Sequence, residues 1–138
     1  MATVPLIFIE GPQGILPDAK RELMREVTEA LSDTYHVPDV RIFVREHPGA
    51  NVAQDGLSEA EDIRPVCFLE VPELRDLDAR RVLVKRIQDA VAAAYQGIAN
   101  TDELLVMINH YPLENVGFHG RLQADDPQIV GLMERLNR

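Results

Sequence analysis

Short apolar runs open two corresponding parts of the chain, at residues 5–9 and 65–69. Each run is too short for a helix and is bounded by proline together with glycine or valine, which predicts a strand buried on both faces. After each run, apolar side chains recur with helical spacing, which predicts one amphipathic helix in each part. The positions are Leu23, Val27, Ala30, Leu31 and Tyr35 in the first part and Leu83, Ile87, Ala90, Val91 and Tyr95 in the second. Further apolar runs at residues 41–45 and 104–108 predict two more strands. The pattern therefore predicts the element order β-α-β twice.

The second half of the chain repeats the first. With an offset of 60 residues, ten of the 31 residues in 5–35 are identical to their counterparts in 65–95. The offset becomes 64 after an insertion near residues 98–103, so that Pro48 corresponds to Pro112 and Gly56 to Gly120. Self-similarity at a fixed spacing identifies repeated structural units. We interpret the chain as a tandem duplication.

These elements predict an α+β fold, in which tandem β-α-β units form a four-stranded sheet with two helices on one face. Because a helix connects the two strands of each unit, those strands are expected to be parallel, with a right-handed connection. We assign residues 1–56 to the first unit, 57–64 to a polar linker and 65–120 to the second unit. Residues 121–138 form a tail with a short helix, and all segments belong to one compact domain.

Composition and charge limit the classes of partner. The 138 residues include 14 Lys and Arg against 23 Asp and Glu, giving a net charge of -9. A chain with this excess of acidic residues lacks the basic surface that binds the phosphate backbone of nucleic acid, so no nucleic acid partner is expected. The chain has no run of about 18 apolar residues, so no membrane span is expected. The single Cys67 and the absence of a secretory signal pattern at residues 1–5 favour a cytoplasmic location.

Three sequence features occur together in the first unit: an opening proline, the helical residues 19–30 and the closing pattern Pro48-x-x-Asn51-Val52-x-x-x-Gly56. Together they resemble the tautomerase superfamily, typified by 4-oxalocrotonate tautomerase, and the resemblance extends to about residue 120. The doubled length is similar to fused members of the superfamily, which include the cis-3-chloroacrylic acid dehalogenase and malonate semialdehyde decarboxylase groups. The resemblance implies the tautomerase fold and a homotrimer. No histidine pair has the spacing of a metal site on a helix, so no metal or cofactor is expected.

In this superfamily an amino-terminal proline is the general base, and Pro5 is the matching residue. A free prolyl nitrogen in an apolar pocket near cations has its pKa lowered toward neutrality, which suits proton transfer. As encoded, however, Val4 acylates the nitrogen of Pro5 and Arg64 that of Pro65, and an amide nitrogen is not basic. Translation from a GTG codon at Val4, followed by removal of the initiating methionine, would free Pro5. The alternative for both prolines is a structural role at the start of a strand.

Arginines are implied by the resemblance to bind the substrate carboxylate. Arg75 matches the loop arginine of the superfamily, where the first unit has Ile15. Arg41 matches the second-strand arginine, where the second unit has Leu105. In fused relatives the second unit serves the proline of the first, so Pro5 and Arg75 are the expected catalytic pair and Arg41 an expected substrate-binding residue. A guanidinium binds a carboxylate through two parallel hydrogen bonds. The alternative is that each arginine only solvates a helix start or a strand edge.

Two neighbouring aromatic residues complete the expected site. The dehalogenase-like relatives have a further arginine and a water-activating glutamate, whereas this chain has Pro72 and Phe118 at those positions. Addition of water to the substrate is therefore disfavoured. Phe118 is expected to form an apolar wall of the substrate pocket. His119 is expected to act there as an acid, base or hydrogen-bond donor near neutral pH.

Two functions follow from these assignments. The first is tautomerase (isomerase) activity or a related proton transfer, such as decarboxylation, on a small carboxylated oxo acid or enol. Pro5 would be the general base once its nitrogen is exposed as an amine. The alternative is a non-catalytic or altered tautomerase-fold binding protein, in which residues 1–4 plug the pocket because Pro5 is not amino-terminal as encoded.

Overall fold

The computed structural model describes residues 4–37 and 39–138. The proposed plug at residues 1–4 therefore lies outside the described residues except for Val4. The elements in chain order are β1 (Leu6–Pro12), α1 (Pro17–Tyr35), β2 (Arg41–His47), β3 (Ala53–Gln54), β4 (Leu57–Ser58), β5 (Val66–Pro72), α2 (Leu77–Ala94), β6 (Leu105–Tyr111), β7 (Gly117–Phe118), β8 (Arg121–Leu122) and α3 (Pro127–Leu136). Short 3₁₀ turns lie at Gly49–Asn51, Thr101–Glu103, Leu113–Asn115 and Gln123–Asp125.

The main sheet has the strand order β2-β1-β5-β6. Strands β1 and β2 are parallel, as are β5 and β6, whereas the central pair β1 and β5 is antiparallel, with Phe8 opposite Phe68. Two β-α-β units thus meet along their first strands. The predicted α+β fold, with a four-stranded sheet and two helices on one face, is confirmed.

Both outer strands are longer than the apolar runs that predicted them. Strand β2 continues to His47 and β6 to Tyr111, because their parallel partners continue to Pro12 and Pro72. Backbone pairing with the neighbouring strand therefore extends each outer strand beyond its apolar run, into the polar residues that follow. This extension places Tyr111 within the sheet.

The core lies between the sheet and the two long helices. Ile7 and Ile9 of β1 and Cys67 and Leu69 of β5 are fully buried on this face. The helices contribute the buried residues Leu23, Val27, Ala30, Leu31 and Tyr35 from α1 and Leu83, Ile87 and Val91 from α2. These residues include most of the helical positions that the sequence pattern indicated.

The opposite face of the sheet is open within one chain. Side chains of Phe43, Phe68, Leu105 and Met107 are exposed there, between 39% and 53% of their surface. Phe8 lies beside them and stacks on Phe43 with a ring separation of 5.5 Å. The continuous apolar runs are therefore covered on only one face within a single chain.

Sequence-local features fix the helix ends. Helix α1 has proline at its first position, and it ends at His36, which has the left-handed backbone conformation. Helix α2 begins after Asp76, whose carboxylate accepts hydrogen bonds from the backbone nitrogens of Asp78 and Ala79. Among the described residues, no helix is both long enough and apolar enough to cross a membrane.

Short hairpins end both repeats. Strands β3 and β4 pair in the first repeat, so Leu57–Ser58, at the start of the expected linker, belongs to a hairpin. Strands β7 and β8 pair equivalently in the second repeat. Helix α3 follows this second hairpin and buries Ile129 and Met133. It lies in the segment expected as the tail and has no counterpart after the first repeat.

Candidate functional site

Pro5 is buried immediately before β1. Its carbonyl oxygen accepts a hydrogen bond from the backbone nitrogen of Arg41 at 3.0 Å, which fixes the start of the strand pair. Its nitrogen carries the acyl group of Val4. The carbonyl oxygen of that acyl group accepts a hydrogen bond from the hydroxyl of Tyr111 at 3.4 Å. Tyr111 therefore lies next to the nitrogen end of Pro5.

A cleft of about 540 Å³ opens at Tyr111. Its walls come from the loop after β5, the end of β6 with the turn that follows it, and helix α3. The lining includes Glu73, Arg75, Tyr111 and Asn137. Because Tyr111 both lines this cleft and contacts the acyl group on Pro5, it connects the expected base with the expected arginine.

The loop that carries Arg75 is held by Asn137, just beyond α3. The backbone nitrogen of Arg75 donates to Asn137 Oδ1 at 2.7 Å, and Asn137 Nδ2 donates to the carbonyl oxygen of Glu73 at 2.8 Å. The Arg75 side chain is 70% exposed, and its Nε donates to Glu73 Oε1 at 3.0 Å. An exposed ion pair of this kind is weak, so the guanidinium remains available to another carboxylate.

The Tyr111 phenol is suited to hydrogen-bond donation. Burial raises its pKa to about 12, an effect that the hydrogen bond to Val4 opposes. The hydroxyl therefore keeps its proton throughout the neutral range. It can donate a hydrogen bond to a carbonyl or enolate oxygen bound in the cleft.

Arg41 lies at the start of the edge strand β2, near the backbone of Pro5. Its side chain is 54% exposed, and its Nε lies 3.8 Å from Asp39 Oδ1. The guanidinium is not part of the lining of the Arg75 cleft within one chain. Its predicted role in substrate binding remains a prediction.

Phe118 and His119 lie elsewhere, in the β7–β8 hairpin. Their rings meet edge to face with centroids 4.4 Å apart, and His119 adopts a positive φ of 53° in the turn. Both line a smaller cleft of about 130 Å³ together with Leu122 and Ile129. One chain thus connects Pro5 and Arg75 through Tyr111 but does not place Phe118 or His119 in the same cleft.

The part of the chain that the structure describes contains neither a metal-binding cluster nor a reactive thiol. No cluster of three or more His, Cys, Asp or Glu side chains within residues 4–37 and 39–138 is arranged to hold a metal ion. The thiol of Cys67 is free and buried, and burial raises its pKa to about 12. It is therefore not a thiolate nucleophile at neutral pH.

Tyr111 and Asn137 were not predicted from the sequence. Tyr111 is the counterpart of His47, which is bound instead to Glu10 at 2.8 Å. This difference between the repeats was a visible signal, because an aromatic hydroxyl replaces an imidazole at a strand end. Asn137 gave no such signal, since it lies beyond the repeated segments.

Comparisons with known proteins show similarity to one enzyme family in part of the sequence and to solved structures in fold. A sequence model of the tautomerase enzyme family matches residues 5–61. No curated protein matches the chain in sequence. The solved structure named F6 fused 4-OT wild type asymmetric trimer is 24% identical over 86% of this chain and 96% of that chain, with a TM-score of 0.76.

Two further solved structures have the same fold. Pt0534 inactivated by 2-oxo-3-pentynoate is 20% identical over 85% of this chain and 94% of that chain, with a TM-score of 0.72. N1, a member of the cis-3-chloroacrylic acid dehalogenase (cis-CaaD) family, is 18% identical over 95% and 97%, also with a TM-score of 0.72. The chain therefore has the fold of fused 4-OT, and residues 5–61 match the tautomerase enzyme family in sequence.

Proposed function

We propose that the form of this protein that begins at Pro5 catalyses proton transfer between the enol and keto forms of a small carboxylated oxo acid. The observation that carries this proposal is the 3.4 Å hydrogen bond between the Tyr111 hydroxyl and the Val4 carbonyl oxygen. That carbonyl is bonded directly to the Pro5 nitrogen. Removal of residues 1–4 would therefore leave an amine facing the residue that lines the Arg75 cleft.

In the proposed reaction the Pro5 amine takes a proton from the enol hydroxyl and returns it to carbon, so the proton count is unchanged. Arg75 binds the substrate carboxylate in place of Glu73. Tyr111 donates a hydrogen bond to the oxygen on which negative charge develops. Donors aimed at developing charge in a site shielded from water contribute strongly to rate enhancement. The relative Pt0534, inactivated by 2-oxo-3-pentynoate, supports a 2-oxo carboxylate as the substrate class.

We extend the proposal to a homotrimer. The exposed residues Phe43, Phe68, Leu105 and Met107 lie on one open sheet face, and monomers seldom expose apolar patches of that kind. The relative F6 fused 4-OT is described as a trimer, which supports this assembly. In the proposed trimer, a neighbouring chain supplies Phe118 and His119 of its hairpin to the substrate pocket.

The alternative function is a binding protein that does not catalyse proton transfer. The same Tyr111–Val4 contact favours the binding function for the full-length chain. In that form the Pro5 nitrogen is an amide, and the Tyr111 hydroxyl already donates its hydrogen bond to the Val4 carbonyl oxygen. In this form the cleft binds small carboxylates through Arg75 without a base to move a proton. Cys67, free and buried, is consistent with the cytoplasmic location that we propose for either form.

Enzyme assays on two forms of the protein distinguish these functions. One form begins at Pro5 and the other retains residues 1–4, and both are assayed for ketonisation of phenylpyruvate enol and of 2-hydroxymuconate. We expect the Pro5 form to be faster by about a hundredfold to ten-thousandfold, the usual contribution of a general base. A Pro5 form with Pro5→Gly, which keeps an amino-terminal amine, is the control for the secondary amine. Equal rates with and without residues 1–4 would exclude Pro5 as the base. If both forms are faster than the uncatalysed reaction, His119 becomes the candidate base, and if neither is faster, the binding function is favoured.

A further inference from the structure

The two repeats differ at one pair of facing positions between helix and outer strand. In the first repeat, Lys20 Nζ of α1 lies 3.0 Å from Glu46 Oε2 of β2. The repeat offsets place Arg80 of α2 and His110 of β6 at the corresponding positions. The second repeat thus keeps the cation but has an imidazole where the first has a carboxylate.

This change leaves Arg80 without a carboxylate partner among the described residues. The guanidinium donates one hydrogen bond, from Nη2 to the carbonyl oxygen of Arg75 at 3.2 Å. Its Nε is buried and has no hydrogen-bond partner within residues 4–37 and 39–138. The three other basic residues of α2 do have carboxylate partners, at distances between 2.6 and 2.9 Å: Arg81 with Asp78, Lys85 with Asp89, and Arg86 with Asp33.

The groups around Arg80 do not neutralise its charge. Burial lowers the pKa of His110, and the charge of Arg80 lowers it further, so the imidazole is neutral at neutral pH. The hydroxyl of Tyr35 is buried and uncharged, because burial raises its pKa. Glu73 raises the pKa of His110 only weakly and is bound to Arg75. A partly buried cation with no counter-ion is costly, so an external anion would stabilise this arrangement.

The space beside Arg80 indicates what kind of anion fits. A shallow cleft of about 490 Å³ is lined by the polar side chains of Arg80, Arg81, Lys85 and Gln88 together with the apolar side chains of Leu77, Val84 and Ile108. Leu77 is 54% exposed, so its apolar surface is accessible. An unpaired guanidinium next to an apolar wall matches a carboxylate attached to a short hydrocarbon chain.

We propose that Arg80 binds the carboxylate of a small aliphatic carboxylic acid, whose hydrocarbon chain lies against Leu77 and Ile108. The guanidinium donates to the carboxylate from Nη1, because Nε is buried and Nη2 is bonded to the carbonyl oxygen of Arg75. The neutral His110 imidazole lies beside the guanidinium. This site is separate from the Arg75 cleft. It does not rest on the proton transfer proposed above, since it requires neither a free Pro5 nor Tyr111.

Isothermal titration of the full chain with hexanoate tests the proposal. We expect saturable binding of one hexanoate per chain, and binding at least tenfold weaker for hexan-1-ol, which has the same chain without the charge. Arg80→Gln should weaken hexanoate binding by about tenfold to a hundredfold, because it removes a charge-assisted hydrogen bond. Arg86→Gln is the matched control, since Arg86 lies on the same helix, has a carboxylate partner in Asp33 and does not line this cleft. It should change the affinity by less than about twofold.

His110→Glu gives a second test in which the protein itself supplies the anion. By analogy with Lys20 and Glu46, the new carboxylate should pair with Arg80, raise the melting temperature and abolish hexanoate binding. This variant is expected to fold at least as well as the wild type, so loss of binding would not reflect unfolding. No saturable binding of hexanoate to the wild type, equal affinity in Arg80→Gln, or unchanged affinity in folded His110→Glu would each overturn the proposal.

Discussion

The backbone nitrogen of Arg75 donates a hydrogen bond to the side-chain oxygen of Asn137 at 2.7 Å, although 62 residues separate the two in sequence. The amide nitrogen of the same Asn137 donates to the carbonyl oxygen of Glu73 at 2.8 Å and to that of Met133 at 3.0 Å. One side chain thus joins the loop before α2 to the end of α3. The position of Arg75 therefore depends on a helix that lies outside the duplicated elements.

Asn137→Ala tests this dependence. The substitution removes three hydrogen bonds to the backbone, and we expect it to lower the free energy of unfolding by about 1–3 kcal/mol. In the form that begins at Pro5, we expect KM for a carboxylated enol to rise more than kcat falls, because the loop is displaced while the base is intact. Glu134→Ala, which also lines the cleft, is the control. Unchanged KM and stability in Asn137→Ala would show that Asn137 does not position the loop.

Arg75→Ala tests carboxylate recognition. We expect a loss of about 2–4 kcal/mol in transition-state binding, measured as the fall in kcat/KM of the Pro5 form, with the fold retained. Arg41→Ala should have a smaller effect, since its guanidinium is not in the Arg75 cleft of the same chain. Circular dichroism and the melting temperature provide the folding control. Activity of Arg75→Ala equal to that of the wild type would remove Arg75 from the proposed site.

Tyr111→Phe tests hydrogen-bond donation to the substrate. The loss of one donor at a developing oxyanion should lower kcat of the Pro5 form by about tenfold or more. Because the folded pKa of Tyr111 is about 12, the wild-type phenol stays protonated and its contribution should be constant from pH 6 to pH 10. The activity ratio between wild type and variant should accordingly not vary with pH in that range. A ratio near one at every pH would exclude the role.

Phe68→Glu tests the proposed assembly. Phe68 lies at the centre of the open sheet face, opposite Phe8, and a carboxylate there would be buried in the trimer. Sedimentation velocity at micromolar concentration should give a trimer for the wild type and smaller species for the variant. Val82→Glu is the matched control, because Val82 is 59% exposed but lies on α2. A wild-type monomer, or a trimer that survives Phe68→Glu, would contradict the assembly.

Tyr95→Phe tests a buried hydroxyl for which no partner is found in the described part of the chain. At pH 7 we expect the free energy of unfolding to rise by about 1 kcal/mol, because a desolvated polar group is removed. Burial, with a smaller effect of Cys67, raises the pKa of Tyr95 to about 12. The unfolded tyrosine loses its proton near pH 10, so ionisation of Tyr95 leaves the free energy of unfolding unchanged below pH 10 and lowers it between pH 10 and 12.

The alkaline part of this prediction has its own measurement. Urea unfolding of wild type and Tyr95→Phe at pH 7 and pH 11 should show a smaller alkaline loss in the variant, by about 1 kcal/mol for the single pH unit above 10. Identical losses in the two proteins would mean that Tyr95 ionises as easily in the folded chain as in the unfolded one.

Much of the fold could be predicted from the sequence because it depends on local periodicity and on the duplication. The apolar runs predicted the two central strands, and the helical spacing predicted most of the residues that α1 and α2 bury. The outer strands could be predicted only in part, since their last residues are polar and are held by backbone pairing to Pro12 and Pro72. No side-chain pattern records such pairing.

The site was predicted less completely. The family resemblance selected Pro5 and Arg75, and the structure connects them through Tyr111. The resemblance could not show that Phe118 and His119 line a different cleft of the same chain. The spacing of residues along the sequence does not determine where a hairpin lies relative to a distant loop. The distance between Asn137 and Arg75 along the chain concealed their contact in the same way.

By itself the sequence determined the two repeats, the type and order of their main elements and the chemical groups available, since periodicity, turn residues and side-chain chemistry are local properties. Tertiary structure alone decided which of those groups meet. It placed the Tyr111 hydroxyl at the acyl group of Pro5. It also left Arg80 without the carboxylate that its counterpart Lys20 has. Such contacts depend on how strands and helices from distant parts of the chain pack, because burial and hydrogen bonding are satisfied by the whole fold rather than by any one segment.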